Sequence, residues 1–348
     1  MFLEIPYEKT KEESIFIDVR THQEFEDAHI PGAINIPLFN ETERSEIGRI
    51  FKQVGVHEAR RQGVQYASRN MLEIFDQVSQ LRKNHYQDVV AYCARGGYRS
   101  SYFSASLSAI GIRVLKLDGG YKKYRHHVIS KLEETNNQLN YLVIHGNTGT
   151  GKTKILQHLG SLGINILDLE KAAKHRGSVL GGVGLGTPIS QKQFESNLLF
   201  QMDNLGKGMV CIEAESRRIG DVMIPKYIHD RMKNGIHIFV SEELAYRIEL
   251  IKEEYTVSPN YKKESIESIY RLKDYLSNQK IKDMEAKIKN GEIDDVIRDL
   301  MTDYYDPMYQ NKSKTYEYAF ILDRVANPIR SAQMIKKWIE DHKHNARK

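Results

Sequence analysis

The run Gly146-Asn147-Thr148-Gly149-Thr150-Gly151-Lys152-Thr153 constrains this chain more than any other stretch of it. A G-x4-G-K-T sequence works only between a strand and a helix. Its glycines let successive backbone N–H groups turn inward on an anion, and the helix behind them adds partial positive charge. Both neighbours are present: Tyr141-Leu142-Val143-Ile144-His145 is a β-rich apolar run, and Lys152 to Leu159 reads as a helix. Lys152 supplies a point charge, and Thr153 a hydroxyl able to ligate Mg²⁺. The acid that completes such a site is sought at strand ends. Met209-Val210-Cys211-Ile212 ends in Glu213, with Glu215 two residues on, while Asp168 closes the run Ile164-Asn165-Ile166-Leu167. The loop predicts a phosphate ligand without saying which phosphate compound.

A second anion loop precedes it. Val89-Val90-Ala91-Tyr92 reads as a buried strand and runs straight into Cys93-Ala94-Arg95-Gly96-Gly97-Tyr98-Arg99-Ser100, with a helix predicted from near Ser100. Such a loop curls its N–H groups around an anion, lowers the thiol pKa through the helix dipole, and places Arg99 to clamp an oxyanion. Cys93 is therefore a candidate nucleophile, with Arg95 and Arg99 beside it. C-x5-R spacing suits both a cysteine-dependent phosphatase and a sulfur-family transferase, and a phosphatase would also need an acid for the leaving oxygen.

With 348 residues, the chain exceeds the roughly 250–300 at which one core stops growing, so two domains are expected. Strands at residues 14–19, Val89–Tyr92 and Val114–Leu117 alternate with a helical pattern over Met71–Leu81. The phosphate loop lies in a second series, with further strands at Met209–Ile212 and Ile236–Val240. Both series predict α/β domains with parallel sheets. The polar stretch Ser130 to Gln138 places the boundary, giving domains over 1–132 and 138–348, and the charged sequence from about residue 241 predicts a helical extension. The only other cysteine, Cys211, lies in an apolar run and reads as core, which argues against disulfides and cysteine metal sites. Histidine spacing suggests no metal site beyond a loop-bound Mg²⁺. No run approaches the roughly 18 apolar residues of a membrane helix, and no signal peptide is evident, so a cytoplasmic protein is expected. The net charge of +5 permits a polyanionic partner without demanding one.

The first domain resembles a rhodanese domain. The resemblance rests on Asp18-Val19-Arg20, Glu24-Phe25, His29-Ile30-Pro31-Gly32-Ala33-Ile34-Asn35, the Cys93 loop and Leu117-Asp118-Gly119-Gly120, with Tyr124 where that last motif often carries Trp. A rhodanese domain ahead of a phosphate-loop domain is similar to the tRNA 2-selenouridine synthase family. Asp168-Leu169-Glu170, His175-Arg176-Gly177-Ser178, Glu213-Ala214-Glu215-Ser216-Arg217-Arg218 and Tyr305-Asp306-Pro307-Met308-Tyr309 extend the match. Ala94 stands where the family often has Trp, which changes the pocket wall and leaves the nucleophile. The resemblance implies exchange of sulfur for selenium in wobble 2-thiouridine of tRNA, with selenophosphate as donor, and S-geranylation from geranyl diphosphate.

On that reading Cys93, Arg95, Gly96, Gly97, Tyr98, Arg99 and Ser100 take selenophosphate, and Cys93 accepts or delivers its selenium. Gly146 to Thr153 take the diphosphate, with Mg²⁺ on Thr153. Asp168, Glu213, Glu215, Arg217 and Arg218 form an acidic or tRNA-contacting site. The tRNA anticodon region and a selenophosphate-supplying enzyme are the implied partners. Lys122-Lys123-Tyr124-Arg125-His126-His127 and the tyrosines 304, 305, 309, 316 and 318 are candidate phosphate and stacking contacts, although each also reads as an ordinary helical or core pattern. The alternative is a phosphate-loop ATPase whose first domain is a sulfur carrier or phosphatase-like module.

Overall fold

In the computed structural model residues 3–82, 88–206, 208–308 and 316–345 are described. The chain divides into two compact units, Met1–Lys131 and Leu132–Lys348.

The first unit is built on β1 (Glu4–Ile5), β2 (Ile15–Asp18), β3 (Ile34–Asn35), β4 (Val89–Tyr92) and β5 (Val114–Leu117), paired in the order β1-β5-β4-β2-β3 and parallel throughout. Every residue of β4 and β5 is buried, as expected of strands covered on both faces. Ile17, Val89 and Ala91 pack with Phe103 and Leu107 of the helix Tyr98–Ala109, and with Ala67, Ile74 and Val78 of the helix Val56–Arg82. The chain leaves β2 for β3 on one side and β4 for β5 on the other. Cys93, directly after β4, therefore sits at the carboxyl edge of the sheet where strand order reverses, the place at which parallel sheets open a crevice.

The second unit carries β6 (Asn140–His145), β7 (Asn165–Leu167), β8 (Met209–Glu213), a short antiparallel pair β9 (Arg218–Ile219) and β10 (Val222–Met223), β11 (Ile236–Ser241) and β12 (Tyr318–Asp323). Its main sheet has the order β12-β11-β6-β8-β7, again all parallel. Leu142 and Ile144 pack against Ile155 and Leu159 of the helix Lys152–Ser161 and against Ala332, Ile335 and Ile339 of the helix Pro328–Asn345. Cys211 lies in the same cluster, buried and outside any disulfide.

Two expectations change. The helices Leu244–Tyr255, Tyr261–Ile269, Asn278–Asn290 and Ile293–Leu300 do form an apolar cluster of their own, centred on Ile269, Met284, Ile288 and Val296. They are, however, an excursion between β11 and β12, because the chain then returns to the sheet. β12 was hidden by its edge position: the half-buried Tyr318 and Phe320 and the buried Leu322 alternate with exposed Ala319, Ile321 and Asp323, a weak period-2 signal in charged surroundings. The polar stretch 130–138 is likewise no linker. It ends the helix Gly120–Asn136, where Leu132 and Asn136 are buried, and the Tyr141 hydroxyl donates to Asn136 Oδ1 at 2.9 Å. No helix among the described residues is long and apolar enough to cross a membrane.

Candidate active site

Cys93 is buried at the end of β4, with Sγ 3.2 Å from Ser100 Oγ, itself a donor to the Gly97 carbonyl at 3.3 Å. Gly97 caps the helix Tyr98–Ala109, so the thiol looks into a helix N-terminus. Burial pushes the thiol pKa up. The hydroxyl and N–H of Ser100, the charge of Arg99 and the N–H of Arg95 outweigh it and hold Cys93 below the ordinary thiol value. Arg99 is anchored by a two-pronged pair, donating to Glu24 Oε2 at 2.5 Å and Oε1 at 3.1 Å. The Arg95 side chain is exposed and serves the sulfur through its backbone alone, while Tyr98 is 74% exposed with its hydroxyl bound by Arg60.

The loop is shaped from below by the Asp118-Gly119-Gly120 turn. Tyr121 and Lys122 donate backbone N–H groups to the carbonyls of Cys93 and Ala94, both at 2.9 Å. A Cβ on Gly120, whose φ is +57°, would stand 2.3 Å from the Cys93 carbonyl and 2.4 Å from the Gly96 nitrogen. His29 stacks on Phe25 and bonds its carbonyl, a structural role.

The phosphate loop links β6 to the helix Lys152–Ser161. Lys152 Nζ donates to the carbonyls of Gly146 and Asn147 at 2.9 and 3.2 Å, and Gly149 and Gly151 have φ near +80°, at +81° and +78°. The loop is held from outside by a pair that sequence reading did not find. Arg247, buried on the helix Leu244–Tyr255, donates to the Thr148 carbonyl at 2.8 Å and bonds both oxygens of Asp306, whose Oδ1 also accepts from Asn147.

Beneath the loop three carboxylates converge, each offering an oxygen within 4.8 Å of the others: Glu170, Glu213 and Glu215. Thr153 Oγ1 donates to Glu170 Oε2 at 2.9 Å. Glu213, fully buried at the end of β8, has no hydrogen-bond partner among the described residues for either carboxylate oxygen. Burial, then the neighbouring carboxylates, push Glu213 well above the usual range. Burial followed by Glu215 pushes Glu170 up to about 8 against the pull of Thr153 and Lys152. Asp168 is separate: its Oδ1 caps the helix Leu169–Ala173 by accepting from the Lys171 N–H at 2.7 Å. Of the three acids expected, Glu213 and Glu215 thus meet at the loop, Asp168 does not join them, and Glu170 takes the third place.

A cavity of about 540 Å³ opens from the loop at Gly146 and Asn147 and shares Gly177, Ser178 and Glu215 with the phosphate pocket. Tyr304, Tyr305, Tyr316 and Tyr318 all line it, and Arg217 stands exposed at its wall. Arg218 turns instead to the Gly220 carbonyl and Asp221. Tyr309 lies outside the described residues. The basic cluster of the first unit divides: Tyr124 and Arg125 are buried, the former against Tyr7 and Tyr121, whereas Lys122, Lys123 and His126 are exposed. Tyr124 offers no face for stacking.

Comparison with known proteins agrees with this arrangement. Residues 6–127 match the rhodanese-like domain model, and residues 139–345 the model described as the tRNA 2-selenouridine synthase AAA domain. Similar relatives, each named tRNA 2-selenouridine synthase, occur in Nitrosomonas europaea, Hydrogenovibrio crunogenus and Pseudomonas entomophila. The first is 34% identical over 70% of this chain and 63% of its own length. The second is 31% identical over 84% and 87%, and the third 29% over 89% and 90%. With both domain models matched in order, and a relative above 30% identity aligned over most of both chains, this protein belongs to the tRNA 2-selenouridine synthase family.

Proposed function

We propose that the protein exchanges sulfur for selenium in the 2-thiouridine of the tRNA wobble position, through an S-geranylated intermediate, with geranyl diphosphate at the phosphate loop and selenophosphate at the Cys93 loop. The observation that supports the reading is the alignment over both units with relatives named tRNA 2-selenouridine synthase, and the geranyl and selenophosphate steps are the chemistry the two anion loops would suit. The two loops then divide the work.

At the phosphate loop the base sulfur attacks C1 of the geranyl group, the C–O bond breaks, and diphosphate leaves with the electron pair while the base gives up its N3 proton. Backbone N–H groups and Lys152 stabilise the charge that develops on the leaving group. Glu213, with two unpartnered buried oxygens, and Glu170, Glu215 and Thr153 around it fit a divalent cation, Mg²⁺ by the oxygen-only donor set. A cation bound there supplies positive charge against the diphosphate. Lys152 and the loop amides orient that group, and the burial of Glu213 keeps water from it.

Alkylation turns the sulfur into a thiol leaving group and makes C2 of the base more electrophilic. At the other loop, redox balance chooses between accepting and delivering selenium. Selenium in selenophosphate is already fully reduced, so taking it onto sulfur would need an oxidant. Attack of the Cys93 thiolate on phosphorus instead forms an S–P bond and releases selenide with no change of oxidation state. Selenide displaces the thiol at C2, and water hydrolyses the phosphocysteine. Ser100 and Arg99 support the thiolate and the phosphoryl oxygens.

Mass spectrometry of nucleosides from thiolated tRNA, incubated with geranyl diphosphate and selenophosphate, tests this. Cys93→Ala should accumulate geranylated nucleoside with no selenouridine, and Lys152→Ala should lose geranylation. Full selenium transfer by Cys93→Ala would sink the first assignment, and unaltered alkylation by Lys152→Ala the second.

A further inference from the structure

The cavity beside the phosphate loop has been given no occupant so far, and its walls are chemically specific. Rings reach it from four separate stretches of chain. His145 ends β6, His237 and Phe239 lie on β11, Tyr304 precedes Asp306, and Tyr316 and Tyr318 lead into β12. Tyr316 is centred 4.2 Å from His237 and 4.8 Å from His145, and Phe239 5.1 Å from Tyr318, so several ring faces and edges share one space.

The protons on this wall can be placed. His237 Nε2 lies 3.1 Å from the Lys233 carbonyl, an acceptor only, so Nε2 carries the hydrogen. In the neutral ring His237 Nδ1 then accepts, and the donor 2.8 Å away is His145 Nε2. Burial, then His237 and Lys152, push His145 down to about 3, and burial pushes His237 below the usual imidazole value, so both rings are neutral. The wall thus offers π faces and hydrogen-bonding edges without formal charge. Charge lies beside the rings instead, with Glu215 and the anion cradle where the cavity meets the phosphate pocket and exposed Arg217 and Lys233 elsewhere on the lining.

A flat, uncharged, hydrogen-bonding ring carried on an anionic chain fits all three features. That is the chemistry of a nucleotide turned out of an RNA strand: the base stacks between rings, and its flanking phosphates meet cations. A purely aliphatic ligand would make no use of Arg217 and Lys233 on the lining. The volume of about 540 Å³ lies within the range of roughly 300–1,000 Å³ typical of small-ligand sites. We propose that this cavity receives the everted base of the RNA substrate, stacked on Tyr316 and Tyr304, with the neighbouring phosphates on Arg217 and Lys233. The proposal rests on the tRNA reading above and adds the place where the base is held.

The test uses the full chain and an anticodon stem-loop RNA carrying 4-thiouridine at the wobble position. After irradiation, adducts should map to Tyr304, Tyr316 or Tyr318. Tyr316→Leu should weaken stem-loop binding about tenfold, the loss of one stacking face. Tyr316→Phe, which keeps the ring, should retain affinity, and both variants should bind inorganic diphosphate like the parent, showing an intact loop. Tight RNA binding with adducts confined to residues 3–131, or equal affinity of the Leu and Phe variants, overturns the base site and leaves the tRNA reading standing. No binding of the stem-loop by the parent protein even at low salt overturns the tRNA reading and the site with it. Labelling of these tyrosines by a geranyl photoprobe that the stem-loop fails to displace would assign the cavity to a hydrocarbon chain and end the proposal.

Discussion

Cys93 and Glu213 are both buried, yet their surroundings push them in opposite directions. At Cys93, burial is opposed by donors: Ser100, Arg99 and the Arg95 N–H favour the thiolate. Ser100→Ala removes the hydroxyl and leaves burial less opposed, so the thiolate should form at higher pH. Its ultraviolet absorbance, with Cys93→Ser as the blank, should titrate upward, and selenium transfer lost at neutral pH should return as pH rises. An unshifted titration removes Ser100 from this role. At Glu213 no donor among the described residues answers burial, and at Glu170 the Thr153 hydroxyl and Lys152 do not outweigh it, so protonation relieves both. Glu170 is raised from 4.5 to about 8, so the folded chain keeps a proton that the unfolded chain releases across that window. This stabilisation is complete below about pH 4.5 and is lost as pH rises toward 8. Denaturation of the metal-free protein should show stability falling more steeply with pH than in Glu170→Gln, and Mg²⁺ should restore it at the alkaline end. Parallel pH profiles for the two proteins would show that the carboxyl is not protonated on folding.

Each loop depends on an element distant in sequence. The Gly119-Gly120 turn holds the Cys93 loop, and Gly120→Ala would drive a methyl group into the Cys93 carbonyl and the Gly96 nitrogen. The expected result is loss of selenium transfer with geranylation retained, and a fully active variant would show that the loop can move aside. For the phosphate loop the Arg247–Asp306 pair is the brace. Arg247 is buried and Asp306 about a quarter exposed, 23% at its side chain, so Asp306→Asn should cost about 2 kcal/mol in urea unfolding, between the values for exposed and buried pairs. It should also weaken diphosphate binding, because Asn147 and the Thr148 carbonyl lose their common anchor. Here the reach of the sequence is visible. Residues 93–100 and 146–153 were legible because each loop folds on its own neighbours, with glycines and a following helix as local signals. The roles of Arg247, Asp306, Glu170 and the His145–His237 pair were not, although Glu170 and Asp306 fall in segments that carry the family resemblance, since only the strand order β12-β11-β6-β8-β7 brings their elements together. Asp168 misled for the converse reason: a carboxylate after a strand can cap the next helix as readily as serve a site.

At the scale of the whole molecule, the division between units runs through a helix. Gly120–Asn136 begins with Tyr121, Tyr124 and Val128 buried in the first unit and ends, past the division after Lys131, with Leu132 and Asn136 buried in the second. Asn136 is the tie at that end: it accepts from the Tyr141 hydroxyl at 2.9 Å and donates to the Tyr227 carbonyl at 3.4 Å, beside the strand that delivers the phosphate loop. A fragment starting at residue 138, where the polar composition suggests a boundary, therefore begins after its own side chain anchor. Tyr141, 2% exposed, would keep its ring in place but lose the partner for its hydroxyl. Leaving a buried hydroxyl unsatisfied costs roughly 1–3 kcal/mol, and the exposed contacts of Leu132 add to it. Fragment 120–348 should accordingly unfold at a higher urea concentration than fragment 138–348, and Asn136→Ala in the longer fragment should recover part of the difference. Equal midpoints for the two fragments would show that the helix end is dispensable to the second unit, and the covalent link between the two loops would then carry no stability of its own.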